Sequence, residues 1–241
     1  MAQPCYTTKV LENGSVSPPP GNMAPTAIPL TFLDTLWLSC CPMQRLFFYE
    51  FPHPTSHFMQ KILPNLKSSL SLTLQHFFPF SGNLRLLQRP YIFFTDGNSI
   101  PFIVTESDAD FNHLISNHRR HGRELQALLP KLPPPSNVVS DGTSVCKQLP
   151  LMAIQITIFS NAGFSIGITF LHAAADGKAF AHFTKSWASI CRSKGDLSFI
   201  RNSPPISGLG DPRKLSWVIL VRMVRFQWQK AVMGKVGLNL G

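Results

Sequence analysis

MAIQITIFSNAGFSIGITFLHAAADGKAF, residues 152–180, is the stretch that decides the fold. Met152, Ile154, Ile156 and Ile158 alternate with Ala153, Gln155 and Thr157. After Asn161-Ala162-Gly163, residues Phe164, Ile166, Ile168 and Phe170 alternate with Ser165, Gly167 and Thr169. Successive side chains of a strand point to opposite faces, so this spacing predicts a β-hairpin with one strongly apolar face. The period then changes: Phe180, Phe183, Trp187 and Ile190 share one face of a helix, and Asp176 is placed to cap it. His172 falls on the turn between strand and helix.

Outward from the hairpin, residues 1–26, with SVSPPPG, read as a short strand or arm and a loop. LFFYEF (46–51) reads as a strand ended by Pro52 and Pro54. Phe58, Ile62, Leu66 and Leu70 recur every four residues, which predicts a helix over 56–71 with Ser56 as cap; Pro64 should bend or divide it. Ser81-Gly82-Asn83 signals a turn. Strands are expected over 84–87, 91–95 and 101–105, the last two joined as a hairpin by Asp96-Gly97-Asn98. Residues 111–129 read as partly helical, and PKLPPPSN (130–137) as a stiff surface linker. Strands alternating with helices indicate an α/β or α+β domain.

With 44% apolar and 14% charged residues, the 241-residue chain has material for one large or two small globular domains. A net charge of +10 favours anionic partners, whether nucleic acid, a membrane surface or a phosphorylated ligand such as a nucleotide or coenzyme A. Beyond Asp211 stand Arg213, Lys214, Arg222, Arg225, Lys230 and Lys235 without an acid. The cysteines, 5 in number with no CxxC pair, read as free buried thiols of a reducing compartment. MAQPCYTTKV lacks the apolar run of a signal peptide, and residues 217–221 are too short to span a membrane, so the cytoplasm is expected.

The His172-x-x-x-Asp176 pair stands among Ala173, Ala174, Ala175 and Gly177, which leave room for a substrate at the imidazole. Such a histidine can take a proton from a hydroxyl near neutral pH. On spacing alone, a surface histidine beside a capping aspartate is an equal reading. Gly163-Phe164-Ser165-Ile166-Gly167 matches the G-x-S-x-G elbow of serine hydrolases, with Asp176 and His182 following in hydrolase order. An elbow serine needs a helix directly after it, whereas Ser165 lies within an alternating strand. His53/His57 and His118/His121 have metal-like spacings, but no cysteine or acidic cluster completes either; solvated loop histidines and no metal are expected.

PLTFLDTLWL (29–38), QRLFFYEFP (44–52), ILPNLKSSLSLTLQHFFPFSGNL (62–84) and HAAADGKAF (172–180) occur in the order seen in plant BAHD acyltransferases. The chain resembles their malonyltransferase branch, which acylates sugar hydroxyls of anthocyanin, flavonoid and other phenolic glucosides, over residues 27–190. The resemblance implies a chloramphenicol acetyltransferase-like fold, an α/β mixed sheet with flanking helices, and a channel between two domains. It implies acyl-CoA, with malonyl-CoA foremost, as co-substrate, no bound cofactor, and small-molecule substrates in place of nucleic acid or membrane. His172 would deprotonate the acceptor hydroxyl, Asp176 would hold the turn through an ion pair to an arginine of the other half, and Gly177 would keep it compact.

The family's chains are nearly twice as long and carry YFGNC and DFGWG motifs in their second half. No YFGNC occurs here; ISGLGDPRK (206–214) echoes DFGWGRPKK, and MGKVGLNLG (233–241) echoes the glycine-rich end. The expectation is therefore an acyltransferase N-terminal domain over 1–192, then over 193–241 a crossover loop and a short divergent remnant, with the second domain largely missing. Such a chain would expose an apolar interface suited to self-association. A catalytically inactive remnant is the alternative function, and a hydrolase using Ser165 the minor one.

Overall fold

The computed structural model describes residues 6–21, 24–118, 122–140, 144–195 and 197. The basic tail, Cys5 and the two C-terminal echoes lie outside them.

Among the described residues, two five-stranded sheets share the chain. The strands are β1 (Thr8–Val16), β2 (Thr26–Pro29), β3 (Met43–Glu50), β4 (Asn83–Leu86), β5 (Tyr91–Phe94), β6 (Ile100–Ser107), β7 (Ser136–Ser140), β8 (Ser144–Pro150), β9 (Met152–Phe159) and β10 (Gly163–Phe170). The larger sheet runs β1-β6-β9-β10-β3 and the other β2-β5-β4-β8-β7. All pairings are antiparallel except β6 with β9, so the larger sheet is mixed. The expected hairpin of β5 and β6 does not form. Asp96-Gly97 turns the chain, but β5 pairs in the small sheet and β6 in the large one. Turn chemistry fixes a local reversal, not the partner of each strand.

β9 and β10 form the predicted hairpin, in register from Phe159 opposite Gly163 to Met152 opposite Phe170. The apolar row meets the helices α3 (Leu63–His76) and α6 (Gly177–Arg192) in the main core. The other row is not solvated; every residue of both strands is buried. Its cover is residues 111–130, with α4 (Phe111–Ile115) and α5 (Gly122–Gln126). The glycines make the close approach feasible. A Cβ at Gly167 would stand 2.3 Å from the Leu128 carbonyl oxygen, and one at Gly163 2.4 Å from the Phe111 ring. Two of the buried polar residues find partners in the cover: Gln155 Nε2 donates to Ala127 O at 2.8 Å and Thr169 Oγ1 to Pro130 O at 2.7 Å. The supposed linker thus begins buried at Pro130 and ends inside β7.

Pro64 stands in the first turn of α3, directly after a change of helix type. Helix α2 (Thr55–His57), whose N-cap is Pro54 and not Ser56, leads into a π turn (Phe58–Ile62) that continues into α3. Leu63 N–H bonds Phe58 O, five residues back. Proline lacks an N–H and crowds the carbonyl four residues before it, and the wider turn moves that carbonyl aside. α3 and α6 then lock together: Trp187 Nε1 donates to Leu66 O and Ser69 Oγ, both at 3.1 Å, and Asn65 Nδ2 to Cys191 O at 2.9 Å.

Of the described cysteines, Cys146 and Cys191 are buried as expected, but Cys40 and Cys41 are exposed. Burial pushes the Cys191 thiol up, away from the reactive thiolate. A thiol reagent added to the native chain should modify Cys40 and Cys41 promptly and spare Cys191 until denaturant is added. Peptide mapping that found Cys191 labelled first would contradict this packing.

Candidate active site at the turn after β10

β10 ends at the seam of two cores. Leu171 N–H donates to Leu151 O at 2.9 Å, tying the strand's end to the crossover between β8 and β9. Leu171 packs into the small-sheet core with Ile28, Leu84 and Ile92, while Ala175 belongs to the main core. Between them His172–Ala174 forms a single 3-10 turn, closed by Ala174 N–H to Leu171 O at 2.9 Å. The turn is gripped from both sides, and it carries a half-buried imidazole.

A tryptophan ring lies against that imidazole. Trp37 stacks on His172 with ring centroids 4.1 Å apart and planes 11° from parallel. Trp37 is positioned by α1 (Phe32–Leu36), which begins with a capping box: Asp34 N–H donates to Thr31 Oγ1 at 3.3 Å, and Thr31 N–H to Asp34 Oδ2 at 2.9 Å. The Thr31-x-x-Asp34 spacing signals this start, and Trp37 follows one turn after Asp34. Nothing local signals its partner. Next to Trp37, α1 leaves Phe32, at 78%, with Leu33 and Leu36 exposed.

Asp176 caps α6 as expected: its Oδ1 accepts from Ala179 N–H at 2.7 Å. Among the described residues no arginine pairs with it. Replacing Asp176 with alanine should cost about 0.5–2 kcal/mol, whereas asparagine or serine should keep most of the stability. Urea titrations in which all three variants fell equally would show that the cap is not what the carboxylate does. A Cβ at Gly177 would meet nothing within 4 Å, so the described turn closes without needing glycine there.

The other candidates separate in space. Ser165 is fully buried at mid-strand, and its alternation with Phe164 and Ile166 turns it toward the 111–130 cover. His182 lies on α6, across the sheet, with its ring edge-on to Phe77 at 5.3 Å. The hydrolase triad is thus ruled out by geometry, and the GFSIG glycines serve packing. His53 and His57 stack on each other at 4.9 Å. His118 does gain an acidic neighbour, contrary to expectation: the fold brings His113 and Glu124 to it. Its spacing partner His121 lies outside the described residues.

The Transferase family matches residues 17–205. The chain is 40% identical over 205 residues to malonyl-coenzyme A:anthocyanin 3-O-glucoside-6''-O-malonyltransferase of Dahlia pinnata, covering 82% of the chain and 44% of that protein. It is 44% identical over 192 residues to coumaroyl-CoA:anthocyanidin 3-O-glucoside-6''-O-coumaroyltransferase 1 of Arabidopsis thaliana, covering 78% and 40%. Phenolic glucoside malonyltransferase 1 of Nicotiana tabacum is 38% identical over 197 residues, with 80% and 42% covered. Among solved structures vinorine synthase shares the fold, with a TM-score of 0.59 at 23% identity over 84% of this chain and 48% of that one. The chain spans less than half the length of these curated relatives.

Proposed function

The chain belongs to the Transferase family of BAHD acyltransferases, and from that membership we propose that it moves an acyl group from coenzyme A to a sugar hydroxyl of a phenolic or flavonoid glucoside, with His172 as general base. The observation that carries this reading is the half-exposed imidazole, fixed on a braced turn and stacked on Trp37. His172 takes the proton of the acceptor hydroxyl as its oxygen attacks the thioester carbonyl. The tetrahedral intermediate then collapses, the C–S bond breaks, and the imidazolium returns the proton to the departing thiolate. No acyl-enzyme is required, since the acceptor oxygen attacks the thioester directly. Asp176 acts through the turn that its cap fixes, as a positioning residue.

Malonyl-CoA is the donor we favour. Both malonyl- and coumaroyltransferases stand among the relatives, and the net charge of +10 suits the more anionic donor. The reading is tested by incubating the purified chain with malonyl-CoA and a panel of anthocyanidin and phenolic glucosides. Acceptor-dependent release of free coenzyme A and a malonylated glucoside are expected. Release that ignores the acceptor, or none across the panel, would overturn it in favour of a chain without catalysis.

A further inference from the structure

The cover over the outer face of β9 and β10 holds a cluster that the acyl-transfer chemistry does not use. His113, His118 and Glu124 each offer a donor atom, and the three lie within 4.8 Å of one another. His113 Nε2 is 3.9 Å from Glu124 Oε2, and the two imidazole centroids are 4.2 Å apart. The flanking turns are anchored. Asp110 Oδ1 caps α4 by accepting from His113 N–H at 3.2 Å, and Phe111 and Leu114 are buried against the sheet. On the other side Leu125 and Leu128 pack into the same cluster, and the Tyr6 hydroxyl donates to Glu124 O.

His118 is anchored by its neighbour: Ser116 Oγ lies 2.8 Å from His118 Nδ1 and 2.9 Å from His113 O. That is how a metal-binding histidine is usually held, one nitrogen bonded to a neighbour and the other left for the ion.

We propose that His113, His118 and Glu124 form a binding site for a borderline transition metal of the zinc class. Two imidazoles and a carboxylate are a zinc donor set, with the fourth position left to water. Magnesium and calcium do not fit, since they take six or more oxygens and only one carboxylate is present. Tetrahedral bonds of about 2.0–2.1 Å require donor atoms roughly 3.3 Å apart, so binding draws α4 and α5 closer and clips the cover onto the hairpin.

The test uses the untagged full chain, stripped with chelator and titrated with zinc chloride by calorimetry and thermal melting, with magnesium chloride alongside. One equivalent of zinc should bind and raise the melting midpoint by several degrees, and magnesium should do neither. His118→Ala and Glu124→Gln should each weaken zinc binding tenfold or more while far-UV spectra stay unchanged. His57→Ala should leave it intact. The proposal is overturned by unsaturable binding, by an unaltered affinity in His118→Ala, or by a loss that follows His57→Ala instead.

Discussion

Replacing His172 with alanine is expected to lower acyl transfer by about 10²–10⁴-fold, the range a positioned general base contributes. The KM for acyl-CoA should change little, because the proton transfer is what is lost. The melting midpoint should also hold. The imidazole is half-exposed, and the turn that carries it is built from backbone bonds and from Leu171 and Ala175 on either side. What the fold loses is one stack on Trp37, worth about 0.5–1.5 kcal/mol. Turnover by the alanine variant equal to that of the parent would remove His172 from the mechanism.

The second large effect lies away from the site. Trp187→Ala should cost about 3–5 kcal/mol, a large share of the roughly 5–15 kcal/mol that holds a domain together. Trp187 is wholly buried, and its indole N–H joins α6 to α3 through Leu66 O and Ser69 Oγ. Trp187→Phe keeps one aromatic ring in the core and loses the second ring and those bonds, for about 1–3 kcal/mol. Urea unfolding followed by far-UV circular dichroism separates the two. An alanine variant within 1 kcal/mol of the parent would show that the α3–α6 junction is not the keystone drawn here.

The strand–turn–helix around His172 was legible in the sequence because its periods are local and change where the structure changes. The same holds for the Asp176 cap. The other misreadings share one cause, that the partner lies far along the chain. Gln155, Thr157 and Thr169 alternate as solvent-facing residues would, yet all are buried beneath the 111–130 cover. Strands β5 and β6 are consecutive, yet tertiary pairing assigns them to different sheets. Trp37 sits in a stretch whose capping box can be read, but nothing local announces that its ring lands on His172.

The two-sided burial of β9 and β10 has a consequence for how this sequence can vary. A strand with one wet face keeps half its positions free to drift. Here all eight residues of each strand are committed, one row to the helices and the other to the cover. Even its glycines are specified by backbone and ring atoms of the cover. Mutational freedom must therefore be sought at the margins, along largely exposed β1 and at outward positions such as Val139 and Val145. The hairpin that delivers His172 is the least editable part of the described chain.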